Sequence, residues 1–351
     1  MDRKLTLFVC LMFLQLYMCA GPSFSDPAIK ATADLQGNVQ QDISGRQLRP
    51  RIALALGGGG IRGAAHIGVL KVLAREHIPV DYVSGCSMGA IIGGLYCAGV
   101  PISQIETMVA DNSLQRAYAH GFLPVQVCRY GVCKVGNLFR KDKPYPGLFT
   151  GDRFEKFLAS YLPTPNTKIE DLKIPFCAVA TNLVDGEEYR LASGDLCKAI
   201  LASSAVPPLI KPVDINGNLF IDGSMRDNVG VAAAKQFHPD LVIAVTADGG
   251  IKLAPLKDRS FNHTKAIFMR CEDIMMLVAD SYHLQDADII IRPKTGNLCM
   301  FSRKKADAAT SIKDGEVAAT EALPEIRRAI ASWSAAKLAQ ENKQTELSKA
   351  N

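Results

Sequence analysis

Short runs of consecutive apolar residues alternate with stretches whose apolar positions recur at helical spacing along residues 51–333. Residues 51–56 read as a buried strand. After a glycine run, residues 64–76 read as a helix with Ala65, Val69, Val72 and Leu73 on one face. Residues 82–84 form a short strand pattern, and 90–95 lie in a second helix. Further strands are predicted over 176–181, 188–191, 219–222, 241–245 and 289–291, and helices over 196–203, 265–283 and most of 303–333. Strands and helices in alternation predict an α/β domain.

Three segments resist this pattern. Residues 26–49 are polar and rich in Gln and Asp, a lead-in, and residues 334–351 read as a polar helical extension or tail. Residues 113–150 mix basic and aromatic side chains, among them Arg116, Tyr118, Phe122, Arg129, Tyr130 and Phe149. Long connections of this kind are often functional. The segment is expected either to cover the site as a lid or lipid-facing loop, or to be an ordinary surface insertion. The first residues, Met1-Asp2-Arg3-Lys4, are followed by an apolar run over 5–18, a Gly21-Pro22 break, and small residues at Ser23 and Ser25. That order predicts a signal peptide over 1–25 and a mature chain in the periplasm, in the outer envelope or secreted. Met18-Cys19 leaves open a lipoprotein with Cys19 acylated.

Composition narrows the classes. Hydrophobic residues make up 48% of the 351, enough for a large core, and no internal repeat is visible. The net charge of +5 is too mild to suggest nucleic acid and modestly favours an anionic lipid surface. Of the ten cysteines, Cys10 and Cys19 fall in the leader, and Cys86 and Cys97 are expected to pack as small apolar groups. Cys128 and Cys133 flank a central Gly131 and are the best disulfide candidates for an oxidising compartment. No paired C-x-x-C or histidine accompanies the cysteines, so no metal is expected.

The chemistry concentrates at two glycine clusters. Gly85-Cys86-Ser87-Met88-Gly89 lies between a strand and a helix pattern, and its glycines permit the sharp turn that lifts a serine hydroxyl clear. Ser87 would also sit at a helix N-terminus, which favours developing negative charge; it is either a nucleophile or a plain N-cap. Upstream, Gly57-Gly58-Gly59-Gly60-Ile61-Arg62-Gly63 follows the first strand. Gly58, Gly60 and Gly63 fit a dinucleotide fingerprint, or the amides form an oxyanion hole. The fingerprint needs an acidic residue at the far end of the second strand, and Asp81 stands at the near end, which favours the oxyanion hole. None of the six histidines occupies a position expected of a Ser–His–Asp triad, and His66 reads as a packed residue of its helix. Asp222-Gly223, ending a strand, offers either a base or a turn.

In this order, Gly58-Gly59-Gly60-Ile61-Arg62-Gly63, Gly85-Cys86-Ser87-Met88-Gly89 and Asp222-Gly223-Ser224 resemble the motifs of patatin-like phospholipases, over residues 51–333. The resemblance implies a three-layer sandwich with a mainly parallel central sheet flanked by helices. It also implies a serine lipid acyl hydrolase that needs no metal or cofactor. Ser87 would be the nucleophile and Asp222 the proton acceptor, with an oxyanion hole from Gly58, Gly59 and Gly60 near Arg62. Gly63, Gly85, Gly89 and Gly223 would shape the motifs. The implied substrate is a phospholipid or other acyl ester, met at a membrane surface. Arg62 would orient the loop or attract a head-group phosphate, or else simply cap a helix or pair with a carboxylate. Ser224 and Asn228-Val229-Gly230 depart from the family, which has Gly or Ala in the first place and commonly Asn-x-Pro in the second; neither change removes a catalytic side chain. The alternatives are a non-catalytic lipid-binding or scaffold protein on the same fold, and a nucleotide-binding protein.

Overall fold

The computed structural model describes residues 49–119, 147–249 and 264–350. The chain runs through β1 (Ile52–Leu56), a 3-10 turn (Gly60–Ala64), α1 (Ala65–Arg75), β2 (Tyr82–Cys86), α2 (Met88–Cys97), α3 (Ile102–Ala110), α4 (Ser113–Tyr118) and α5 (Asp152–Ala159). It continues through β3 (Phe176–Asn182), β4 (Glu188–Leu191), α6 (Leu196–Ser203), β5 (Val213–Ile215), β6 (Asn218–Asp222) and α7 (Val231–Lys235). It closes with β7 (Leu241–Val245), α8 (Thr264–His283), β8 (Ile289–Ile291) and α9 (Lys305–Ala350).

The strands form a single sheet in the order β5-β6-β3-β2-β1-β7-β8, with β4 also paired to β3. From β8 to β3 all neighbours are parallel, whereas β4 and β6 pair with β3, and β5 with β6, antiparallel. The sheet is therefore mixed, with a parallel majority and an antiparallel flank. Strand order reverses at β1: β2 lies on one side of it and β7 on the other, and in such sheets the crevice forms beyond the carboxyl ends of the strands.

Alternation along β1 divides the interior into two layers. Ile52, Leu54 and Leu56 join the larger apolar core, with residues from α1, α2, α6 and α9. Ala53 and Ala55 face the other way, onto Val229, Val231 and Ala234 around α7. The large core brings α1 and α9 into close contact through glycines: a Cβ on Gly68 would lie 2.0 Å from the Ile312 carbonyl oxygen, and one on Gly315 2.0 Å from that of Ala65.

Most predicted elements coincide with observed ones. The helices α3, α4, α5 and α7 and the strand β5 have no counterpart among the predicted elements: each is short, and α4 begins inside the segment whose composition follows no single period. Of the two readings of residues 334–351 the helical extension holds, since the last helix runs on to Ala350. Among the described residues no helix is long and apolar enough to cross a membrane. The expected leader, the Cys128–Cys133 pair and most of the expected lid lie outside the described residues.

Candidate active site

The elbow follows from its glycines. A Cβ on Gly85 would lie 2.5 Å from the Gly89 carbonyl oxygen, and one on Gly89 2.0 Å from the Leu56 carbonyl oxygen. The turn after β2 is therefore pressed against both the start of α2 and the end of β1. Ser87, at its apex, has φ 51° and ψ −116°, a conformation that is costly for a residue with a side chain. It is half-buried while its neighbours from Val83 to Ala90 are buried, so the turn presents this one side chain outward. Its N–H donates to Ser203 Oγ at 3.0 Å, and that hydroxyl donates to the Val179 carbonyl at 2.6 Å.

Asp222 reaches the elbow through strand register. Cys86, the last residue of β2, is level with Val179, and β3 runs on from there as far as Asn182. Antiparallel β6 pairs with this overhang, placing Asp222 opposite Ala180, one residue from the level of Cys86. Asp222 is fully buried, and its Oδ1 accepts the Ser224 N–H at 2.9 Å and faces Cys86 Sγ at 3.9 Å. Its Oδ2 is buried with no donor in hydrogen-bonding geometry. Burial pushes the carboxyl above its ordinary value, partly offset by Ser224 and by the nearby Ser87 side chain. A Cβ on Gly223 would lie 2.4 Å from the Val179 carbonyl oxygen, which accounts for the glycine after the aspartate.

The glycine loop closes the site from the β1 side. The space for a Cβ on Gly58 lies 3.1 Å from Ser87 Cβ and 2.6 Å from Asn228 Oδ1, so only glycine lets the loop approach the serine. Gly59 and Gly60 have φ of 142° and 57°, a path that side-chain-bearing residues seldom follow. Among the expected donors, Gly58 differs: its N–H donates to the Asn228 carbonyl at 3.0 Å and is occupied. Gly59 and Gly60, partly exposed, keep amides with no protein acceptor among the described residues.

Arg62 does not line the site. Its side chain is 2% exposed and pairs with Asp273 at 2.7 Å, while also donating to the Leu298 and Gly296 carbonyls. Its own amide donates to the Gly59 carbonyl at 3.2 Å. Every one of these donors is engaged, so Arg62 braces the loop rather than contributing to an oxyanion hole or meeting a phosphate. Gly63 packs against Met88, where a Cβ would come within 2.8 Å. His66 is buried, with Nε2 2.7 Å from the Gly57 carbonyl oxygen, and burial lowers its pKa to about 4. It is thus neutral and donates to the loop, as a packed residue. Asp81 binds Arg49 through both oxygens and accepts the Ile52 N–H at 2.8 Å, at the end of the sheet away from the glycine loop.

Residue pattern alone missed Ser203, Asp273 and Asp280, and marked Asn228 only as the start of a departure from the family's Asn-x-Pro. Ser203-Ser204 at the end of an otherwise apolar helix was the available signal for the first. The two aspartates have no local signature, because their partners lie far away in the chain.

A family model described as Patatin-like phospholipase matches residues 54–235. The chain belongs to that family. The match ends with the last residue of α7, so it includes both glycine clusters and Asp222. An uncharacterized NTE family protein of Mycobacterium tuberculosis is 32% identical over 217 residues, 61% of this chain and 54% of the relative. Lysophospholipase NTE1 of Cryptococcus neoformans is 32% identical over 198 residues, 55% of this chain and 11% of that protein. This chain thus spans about half the length of the mycobacterial relative and a small part of the fungal one. Among solved structures, VipD from Legionella pneumophila aligns with a TM-score of 0.42 at 17% identity, covering 79% of this chain and 67% of that one.

Proposed function

We propose that this chain is a serine lipid acyl hydrolase that cleaves carboxylic esters of phospholipids or lysophospholipids through Ser87 and Asp222. One observation carries the reading: Asp222 is fully buried with Oδ2 lacking a donor, and the Ser87 side chain is close enough to favour its charged form. In the proposed reaction Asp222 Oδ2 takes the Ser87 hydroxyl proton as Oγ attacks the ester carbonyl carbon. Charge gathers on the carbonyl oxygen, where the Gly59 and Gly60 amides donate, with the free N–H groups at the start of α2 nearby. The carbon–oxygen bond to the leaving alcohol breaks, and the alcohol takes the proton from Asp222. Water then gives a proton to Asp222 and attacks the acyl-Ser87 carbonyl. The fatty acid departs, and Ser87 regains its proton. A buried Asp222 suits this task, since its raised pKa makes it a stronger base than an exposed aspartate.

Export of the mature chain and action at a lipid surface belong to the same reading; the residue 1–25 pattern and the positive net charge support them. The test is fatty-acid release from phospholipid vesicles, together with fluorophosphonate labelling. The native chain is expected to release acid and to be labelled at Ser87. Ser87→Ala should fall to background in both assays, and Asp222→Asn should lose about 10²–10⁴-fold in rate. Release undiminished in Ser87→Ala would sink the dyad. An unlabelled native chain that cleaves no ester would favour a lipid-binding protein.

A further inference from the structure

The glycine loop is held at both ends by one helix that the family match does not reach. At its Gly58 end, the loop amide donates to the Asn228 carbonyl, and the Asn228 side chain donates in turn to Asp280 Oδ1 at 3.0 Å. At its other end, Arg62 is paired with Asp273 at 2.7 Å. Asp273 and Asp280 both belong to α8, seven residues apart, which is two turns and returns to nearly the same face about 10 Å along the axis. Asn228 is 1% exposed, Asp280 1% and Arg62 2%, while Asp273 keeps 16% of its side chain exposed, so the Asn228 tie is the drier of the two. Between the two ties lie Gly59 and Gly60, whose lack of a Cβ leaves the backbone many accessible conformations besides the positive φ seen here.

We propose that Asp273 and Asp280 are positioning residues for the oxyanion loop, setting through Arg62 and Asn228 where the Gly59 and Gly60 amides stand relative to Ser87. The inference rests on the hydrolase reading above and extends it to residues outside the three motifs. An oxyanion hole works only if its donors are already in place, and a displacement of about 1 Å suffices to lose much of the rate, of order 10²-fold. Asp280 is well suited to hold Asn228 in either protonation state, because only its oxygen acceptor is needed. Burial and the Asp248 charge raise it to about 7, opposed by the Asn228 hydrogen bond, which favours the charged form.

The test uses the full chain, a soluble acyl ester, and hydrogen exchange read on the peptides carrying the glycine loop and the elbow. Asp280→Ala is expected to lower kcat about 10-fold or more with KM within about twofold. It should also speed exchange in the loop and leave the elbow unchanged. Asp280→Asn keeps the acceptor and should restore kcat to within about threefold of native. At the other end, Asp273→Ala would strand a buried cation and endanger folding, so Asp273→Asn is the informative variant. It should speed loop exchange and lower kcat rather than raise KM. Native exchange in the loop of both Asp280→Ala and Asp273→Asn would overturn the proposal, as would a higher KM at unchanged kcat. A native chain that neither cleaves ester nor reacts with fluorophosphonate would instead overturn the hydrolase reading, and the exchange rates would still decide whether α8 holds the loop.

Discussion

The elbow and the glycine loop are both glycine-rich turns that follow parallel strands, yet they are held in different ways. The elbow is compact: Gly85 is excluded from carrying a side chain by the backbone of Gly89 and Ala90, and Gly89 by that of Leu56 and Gly57 at the end of adjacent β1. Its geometry follows once the strand, turn and helix form. The glycine loop has only a few local ties, from the Arg62 amide to Gly59 and from His66 to Gly57. Most of its contacts are distant, to Asn228, Val245, Ala247, Met300 and, through Arg62, to Asp273, Gly296 and Leu298. The nucleophile is thus placed mainly by its own turn and the adjacent end of β1, with Ser203 in support, whereas its electrostatic partner leans on residues from the second half of the chain. Damage to the first should register as misfolding, and damage to the second as lost catalysis in a folded protein.

Paired substitutions would break this comparison most sharply. Gly89→Ala forces a Cβ to 2.0 Å from the Leu56 carbonyl oxygen, inside the sheet's own backbone. It should cost about 3 kcal/mol or more, read as a large fall in Tm or as insoluble protein. Gly60→Ala meets the Met300 carbonyl at 2.4 Å and takes φ 57°, but in a loop that can shift. It is expected to lose about 10²-fold in kcat at a smaller cost in stability. Equal damage to Tm from both changes would erase the distinction.

Acid sharpens it next. Because burial raises Asp222, kcat/KM should fall about tenfold per unit as pH drops through a value above the ordinary 3.8, and Ser87 labelling should fall with it. Stability should move the opposite way. A carboxyl raised in the native state binds its proton more tightly there than in the unfolded chain. Its contribution is full below the unfolded value and is lost as pH rises through the native one. For Asp280 the window runs from 3.8 to about 7, and Tm measured across it should decline less in Asp280→Asn. A Tm slope that Asp280→Asn leaves intact would place the effect elsewhere, with Glu188, raised by burial to about 8, as the next group to substitute.

Ser203→Ala should give the smallest effect. It leaves the Ser87 N–H and the Val179 carbonyl without their shared hydroxyl, a loss of about 1–3 kcal/mol. The expected kinetic change is a few-fold in kcat, since the elbow's glycine packing remains. A kcat loss rivalling that of Gly60→Ala would show that the elbow, too, depends on distant support.

Much of this molecule is legible before folding is considered. Runs such as residues 241–245 and 196–203 declare a buried strand and a helix through local periodicity alone, and both match their observed bounds. The two glycine clusters and Asp222-Gly223 stand out because strained or tightly apposed backbone demands glycine, a local requirement written at the position that has it. Arg62 was legible as a motif residue but not in its role. A guanidinium serves equally as a phosphate ligand or a buried brace, and only the surroundings distinguish the two.

The sequence by itself determined the alternation of elements, the turn that presents Ser87, and the glycine content that lets two backbones meet. Tertiary structure alone decided that β3 overruns β2 and pairs there with an antiparallel strand, bringing Asp222 to the elbow. It alone decided that Gly58 gives its amide to Asn228 and that α8 grips both ends of the loop. The reason is physical. Periodicity and turn chemistry record what a residue requires of its immediate neighbours, whereas register, overhang and a salt bridge across two hundred positions depend on where independent elements stop against one another.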